Sequence, residues 1–250
     1  MIGFNGGLIG KARETSSAQS VPGVWTPQEQ LKAKRAILWP TEDPYFANVS
    51  LLLRGDGANG STTILDESYS PKTVTAVGNA QISTAQSKYG GSSILFDGTG
   101  DYLTVASNAG FVFGTGDFTV ELWIRTADTA GGLVTRIAGG AGNWDLVLNV
   151  SSVYFQSQYN ATNLYNRSAT TILDNNWHHL AVCRSGTSHR CFFDGVQQGA
   201  TVTDSNNYSG TGDLRIGSDA YGDFNGYIDD LRITKGVARY TSNFTPPGAL

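Results

Sequence analysis

The sequence has 250 residues, with 17 Lys and Arg against 21 Asp and Glu, so its formal net charge is −4 at pH 7. This acidic balance argues against a nucleic-acid-binding protein, which usually carries a basic face. Charged residues make up only 15% of the chain and aromatic residues 11%, which excludes a coiled coil and disorder throughout. With 31 glycines, the composition instead predicts a β-rich globular protein.

We expect no targeting signal at the start of the sequence. Residues 1–10 lack the basic segment and the long apolar run of a signal peptide, so we expect no secretory leader. No stretch approaches the ~18 apolar residues of a membrane span, and we expect no membrane insertion.

Residues 1–47 differ from the rest of the chain and predict an N-terminal arm. Residues 1–24 are rich in Gly and Ser without a period, which favours an extended segment. A short helix is predicted at about 26–38, because Thr26 can cap it and Glu29 completes a capping box. A helix of this length is unstable alone in water and must pack on a partner. The predicted attachment contacts are Trp25, Leu31 and Trp39.

From Val49 onward the chain reads as short strands separated by Gly, Asn, Asp and Ser turns. The clearest alternation of apolar and polar residues runs through 117–125. The pattern predicts, over residues 48–250, an all-β antiparallel two-sheet jelly-roll sandwich. The candidate strands are 49–53, 73–77, 93–96, 101–105, 117–125, 133–138, 143–149, 152–156, 164–166, 177–183, 189–193, 196–202, 213–216 and 226–234.

Five phrases along this region resemble a known family when they are taken in order. They begin with Gly-Ser-Ser-Ile-Leu-Phe-Asp-Gly at residue 91 and include Trp-His-His-Leu-Ala-Val at residue 177. Their order resembles the laminin-G-like members of the concanavalin A-like lectin/glucanase superfamily. The resemblance implies an antiparallel jelly roll of two curved sheets. The phrases occupy residues 91–103, 113–124, 177–182, 193–195 and 226–233.

The segment 235–247 is similar to laminin-G-like domains of tailed-phage virion proteins. That resemblance implies a non-enzymatic tail, fibre or decoration protein, assembled in the host cytoplasm. Its arm would contact other virion proteins or pack within a homotrimer, and its domain would bind host-surface glycans through many copies. Two alternatives stay open: a decoration protein that stabilises the particle without a ligand, and a cellular carbohydrate-binding module.

A sugar site usually needs an exposed aromatic ring with amide or carboxylate groups nearby. Residues 142–165 and the later loops offer both, and the predicted glycan-binding residues are Trp144, Asn160, Tyr165 and Tyr221. The alternative is that aromatic residues of a β-sandwich are core or cross-strand partners.

The sequence disfavours a hydrolase. Glucanases of this fold place two acids on alternate residues of one strand, and glycoside hydrolysis needs such a pair. Here the residues two positions away from Glu121 are Thr119 and Trp123, so no second acid shares its face of the strand. His178 and His179 are adjacent in one strand and therefore point to opposite faces.

Asp229 is the candidate metal ligand. It alternates with Leu231 and Ile233, so we expect it to face the core, where a carboxylate needs a partner. In the glucanase branch an Asp at the matching place is a structural calcium ligand, and analogy predicts calcium at Asp229. The alternative is that Asp229 accepts backbone N–H bonds from a neighbouring turn.

The two cysteines are Cys183 and Cys191. If their hairpin closes symmetrically at Gly186, they face each other across two strands. That spacing is slightly wide for a disulfide bond. We favour free thiols, with the disulfide as the alternative.

Overall fold

The computed structural model describes residues 43–137, 142–157, 162–169, 171–219 and 222–250. The chain divides between Ala47 and Asn48, and residues 48–250 form one unit. The predicted helix at 26–38 lies outside the described residues. So do the predicted attachment contacts Trp25, Leu31 and Trp39.

The prediction of an all-β antiparallel sandwich is confirmed. Helical structure in the described residues is limited to two 3-10 turns, Phe46–Asn48 and Ala109–Phe111, and none of it is long or apolar enough to cross a membrane. The short strand β3 was not predicted. The strands are β1 (Val49–Leu53), β2 (Thr75–Val77), β3 (Gln81–Ser83), β4 (Ser93–Asp97), β5 (Tyr102–Val105), β6 (Phe118–Arg125), β7 (Gly131–Ile137), β8 (Trp144–Asn149), β9 (Ser152–Ser157), β10 (Thr162–Ser168), β11 (Trp177–Ser185), β12 (Ser188–Phe193), β13 (Val196–Gln197), β14 (Val202–Thr203), β15 (Asp213–Ile216) and β16 (Asn225–Lys235).

The strands form two antiparallel sheets. The nine-stranded sheet has the order β13-β12-β11-β6-β16-β4-β3, with β1 paired to β16 and β14 paired to β12. The seven-stranded sheet has the order β10-β9-β8-β7-β15-β5-β2. Because successive side chains of a strand point to opposite faces, each sheet has one face toward the core and one outer face.

The core lies between the two sheets. In β6, Val120, Leu122 and Ile124 are completely buried and belong to the main apolar cluster. In the seven-stranded sheet, Leu146 and Leu214 belong to the same cluster. Strict alternation therefore assigns the intervening residues of these strands to the outer faces.

The outer face of the nine-stranded sheet is covered by residues 236–250, which we call the C-terminal segment. Thr119 of β6 donates a hydrogen bond from its hydroxyl to the Val237 carbonyl at 3.0 Å. Farther along, the Phe244 amide donates to the Gly195 carbonyl at 2.9 Å. The Phe244 ring packs against Phe192 of β12, with ring centroids 5.2 Å apart. This sheet is therefore buried on both faces where the segment crosses it.

A buried polar cluster lies beneath the C-terminal segment and is centred on Glu121. Arg232 donates to Glu121 Oε1 from Nε at 2.9 Å, and its Nη2 lies 2.8 Å from the same oxygen. The Tyr240 hydroxyl donates to Oε2 at 2.7 Å, and His179 Nε2 lies 3.3 Å from that oxygen. Burial opposes ionisation, but the Arg232 charge, the adjacent His179 ring and the bond from Tyr240 bring the pKa of Glu121 to about 2.

The expected facing arrangement of the two cysteines is wrong. The β11–β12 hairpin turns at residues 186–187, because Ser185 pairs with Ser188. Cys183 is therefore opposite Arg190, and Cys191 is opposite Val182. This one-residue offset turns Cys183 to the outer face and Cys191 to the core, and both are buried and form no disulfide bond, as favoured from the sequence.

Candidate functional site

The outer face of the seven-stranded sheet carries a row of polar side chains at one level. Each residue is the Cα partner of the next on the neighbouring strand, so their side chains share one face. Asn163 of β10 holds the register position beyond Gln156. We call this set the polar row, and in strand order from β9 to β2 it consists of Gln156, Asp145, Thr135, Arg215, Thr104 and Thr75.

Residues 217–219 and 222–224, which lie between β15 and β16, cross the middle of this face and divide it. We call them the loop. The Thr135 hydroxyl donates to the Ser218 carbonyl at 3.2 Å, and the Gly132 amide donates to the Gly222 carbonyl at 3.2 Å. Thr135 and Asp145 are buried. The surface that remains has two parts, one around Tyr154 on β9 and Gln156, the other around Arg215.

Gly132 makes this close approach of the loop to β7 possible. A Cβ atom at Gly132 would overlap the backbone of Ser218 and Asp219. We expect Gly132→Ala to displace the loop and to lower the free energy of unfolding by about 1–3 kcal/mol, as overpacking does. Thermal or urea unfolding measures this loss. Gly248→Ala is the control, because a Cβ at Gly248 meets no atom within 4 Å. Equal stability of the two variants would contradict the close approach.

The Arg215 side of the face combines an aromatic ring with hydroxyl groups. The Arg215 guanidinium carbon lies 4.1 Å from the centroid of the Tyr102 ring. Tyr102 and Thr104 are half-buried on β5, and Thr75 is exposed on β2. The stacking holds the guanidinium plane beside a line of hydroxyl groups. None of these residues was predicted as a ligand contact.

The prediction that Trp144 stacks on a sugar ring is wrong. Trp144 is completely buried, and its indole Nε1 donates to the Phe111 carbonyl at 3.0 Å. Its ring stacks on Phe113, with centroids 4.9 Å apart. It shares the inward face of β8 with Leu146 and Leu148, a spacing of two that the sequence already displays.

The other predicted glycan residues are not tested by the described residues. Asn160 and Tyr221 lie outside them. The backbone places Tyr165 in β10, where it pairs with Phe155 of β9. These residues stay predictions.

Asp229 is bonded to backbone amides. Its Oδ2 accepts from Lys88 at 2.7 Å and Tyr89 at 3.1 Å, and its Oδ1 accepts from Asp230 at 2.9 Å. The prediction that Asp229 faces the core is wrong. A bulge at Asp230, where φ is 45°, reverses the alternation, so that Asp229 pairs with Trp123. This environment matches the alternative of backbone N–H donors to the carboxylate.

The groups around Asp229 do not fit a calcium site. Calcium binds oxygen ligands, whereas three N–H groups point at this carboxylate. The described part of the chain holds no group of three or more His, Cys, Asp or Glu residues able to bind a metal ion.

Asp229 and Asp230 make stability depend on pH. Burial raises the pKa of Asp229 to about 6, and burial and the Asp229 charge raise the pKa of Asp230 to about 7. Folding therefore favours their protonated forms. Their contribution to the free energy of unfolding is complete below pH ~4 and is lost as the pH rises through about 6–7.

We expect Asp230→Asn to raise the free energy of unfolding at pH 8 by the order of 1–2 kcal/mol and to flatten its dependence on pH. Asn tolerates the positive φ and can still accept the Leu250 amide bond that Asp230 Oδ2 holds at 3.0 Å. Urea unfolding in EDTA between pH 5 and pH 8 measures the change. Asp97→Asn is the control, because Asp97 is exposed and hydrogen bonds lower its pKa. If the free energy of unfolding of Asp230→Asn falls with pH as steeply as that of the wild type, Asp230 is not a source of the pH dependence.

The fold and the face together define the class of two-layer antiparallel β-sandwich domains. A family model described as the concanavalin A-like lectin/glucanases superfamily matches residues 97–239, more than half of the chain. The chain belongs to this laminin-G-type family, as its motifs predicted. A comparison with curated proteins finds no match.

Solved structures share the fold at low identity. The receptor-binding domain of botulinum neurotoxin D is 16% identical with a TM-score of 0.60, over 78% of this chain and 51% of that one. The binding domain of Paraclostridial Mosquitocidal Protein 1 is 14% identical with a TM-score of 0.59, over 77% and 50%. This chain thus spans about half the length of the toxin domains.

Domain 4 of an extracellular arabinanase from Geobacillus stearothermophilus, solved with arabinotriose, is similar over nearly its whole length. It is 15% identical with a TM-score of 0.53, and the match covers 76% of this chain and 94% of that domain.

Proposed function

We propose that this protein is a non-enzymatic glycan-binding protein that uses the outer face of its seven-stranded sheet. The observation that carries the proposal is the polar row, whose two ends, the half-buried Gln156 and the exposed Thr75, lie on the same face as the half-buried rings of Tyr154 and Tyr102. Rings that contact sugars and side chains that bond hydroxyl groups are the usual parts of such a site. The arabinanase domain with bound arabinotriose supports this function for a domain of the same fold.

A glycan array followed by calorimetry on the full chain tests the proposal. We expect Tyr102→Ala and Tyr154→Ala each to weaken binding of the best glycan by roughly 10-fold, the equivalent of about 1.4 kcal/mol. Tyr69→Ala is the matched control, because Tyr69 is 40% exposed and lies outside both sheets. Absence of binding to any glycan would refute the proposal and favour the decoration protein without a ligand. Cleavage of a bound polysaccharide would refute the non-enzymatic part.

We also propose that the protein is a structural component of a tailed-phage virion, attached through residues 1–47. The support is the similarity of segment 235–247 to phage laminin-G-like domains. Trp25, Leu31 and Trp39 are the proposed contacts with other virion proteins or within a trimer. Deleting residues 1–40 should give a folded domain that no longer enters particles. Normal incorporation of that deletion would refute the attachment, and absence from purified particles would favour a cellular module.

A further inference from the structure

The Arg215 guanidinium has no hydrogen-bond acceptor in the described part of the chain, as is also true of Arg125 and Arg190, but Arg215 alone of these three lies over an aromatic ring on the polar outer face. Its Nε atom is buried without a partner, and no ion pair involves the residue. By contrast, Arg184 pairs with Asp204 and Arg232 pairs with Glu121. Arg136 donates to backbone carbonyl groups. Leaving a guanidinium N–H shielded from water without an acceptor is unfavourable, so an external acceptor would stabilise this side chain.

The position of Arg215 is fixed, which suits recognition. Its guanidinium lies 4.1 Å from the Tyr102 ring centroid, and this stacking limits the freedom of a long side chain. The strand β15 that carries it lies between β7 and β5, inside the sheet. A binding group held on a central strand by an aromatic ring loses little conformational freedom when a ligand arrives.

The groups around Arg215 indicate the kind of acceptor. Thr104 is its Cα partner on β5, and Thr75 is the partner of Thr104 on β2. A planar guanidinium matches a carboxylate with two parallel N–H bonds, and hydroxyl groups match the hydroxyl groups of a sugar. Asp213, two residues away on β15, accepts the Ser107 amide at 2.8 Å and forms no ion pair with Arg215.

We propose that Arg215 binds the carboxylate of an acidic sugar, a hexuronic or sialic acid, whose hydroxyl groups contact Thr104 and Thr75. This inference rests on the proposed glycan-binding function and names its ligand class. Because the chain has a net charge of −4, attraction at long range does not favour an acidic ligand. Selectivity for the acid must come from the short contact with Arg215.

The test uses the full chain and a panel of oligosaccharides offered in pairs, each uronate or sialate beside its own methyl ester. We expect the acid of at least one pair to bind 10- to 100-fold more tightly than its ester, as a bidentate charged contact implies. Arg215→Lys should remove most of this preference, because an ammonium group cannot make two parallel bonds. Arg190→Lys, on β12 of the other sheet, should keep it.

The outcomes separate the inference from the function on which it rests. Equal binding of acid and ester, or binding of neutral glycans alone, would overturn the role of Arg215 and leave glycan binding standing. Binding of no glycan would overturn both. Inorganic sulfate is the probe for anions in general. If sulfate displaces the acidic glycan at equal concentration, the assignment of a sugar as the ligand of Arg215 is overturned. Thermal unfolding of Arg215→Lys confirms that a lost preference is not lost folding.

Discussion

Replacing Arg136 with methionine is expected to lower the free energy of unfolding by about 3–5 kcal/mol. Arg136 is completely buried on β7. Its Nε and Nη2 donate to the Gly212 carbonyl at 3.1 and 2.7 Å, and its Nη1 donates to the Phe111 carbonyl at 3.0 Å and to Gly210. Methionine fills similar volume but donates nothing, so the buried Gly212 and Gly210 carbonyl groups lose their donor, while the Phe111 carbonyl keeps the bond from the Trp144 indole.

Urea unfolding at pH 7 measures this loss, with Arg215→Met on the neighbouring strand as the control. The Arg215 side chain makes no hydrogen bond in the described part of the chain, and its replacement should change the free energy of unfolding by less than about 1 kcal/mol. Burial lowers the pKa of Arg136 to about 10, so the side chain is charged throughout this experiment. Similar losses in the two variants would show that the bonds of Arg136 to the carbonyl groups contribute little.

The second large effect is expected for Glu121→Gln, which removes the carboxylate charge of the buried ion pair between Glu121 and Arg232. The side chain of Glu121 is completely buried, and that of Arg232 is 8% exposed. Breaking a buried ion pair by removing one partner typically costs about 3–5 kcal/mol. Because the pKa of Glu121 is lowered to about 2, its contribution is present above pH ~4.5 and is lost as the pH falls toward 2. Urea unfolding at pH 7 and pH 3 should therefore show a smaller difference between wild type and variant at the lower pH.

Glu67→Gln is the matched control for this prediction. Glu67 lies 3.7 Å from Arg54 in a partly exposed ion pair, whose loss should change stability by less than about 1 kcal/mol. If Glu121→Gln does not fold, Tyr240→Phe tests the same cluster by removing one bond to Glu121, for about 1–2 kcal/mol. A Glu121→Gln protein as stable as Glu67→Gln would contradict the role of the cluster.

The local pattern of the sequence was enough to predict the sandwich. Alternation in 117–125 marked β6 correctly, and the same rule applied to Trp144, Leu146 and Leu148 would have assigned Trp144 to the core. Trp144 lies in the candidate strand 143–149, but its prediction as a glycan contact does not use this alternation. The alternation succeeded in β6 and failed at Asp229, where the bulge at Asp230 reverses it.

Pairing between strands determined the register and the side-chain faces that the local sequence pattern could not predict. The hairpin register that separates Cys183 from Cys191 differs by one residue from the symmetric closure, and the bulge at Asp230 inverts the face of Asp229. Arg215 was placed on a strand correctly, but its neighbours Thr104 and Thr75 come from distant parts of the chain. A polar row assembled from six strands leaves no local signal.

The pairing of β1 with β16 has a consequence for synthesis of the protein. Val49–Leu53 leaves the ribosome early, yet its partner in the ladder is residues 231–234. Closure of the nine-stranded sheet, and the covering of Glu121 by residues 236–250, must therefore follow translation of nearly the whole domain. Until then the nascent strand exposes unpaired edges and apolar side chains, which is a state prone to aggregation. Stalled or truncated translation products of this chain are thus expected to need chaperones or to be degraded.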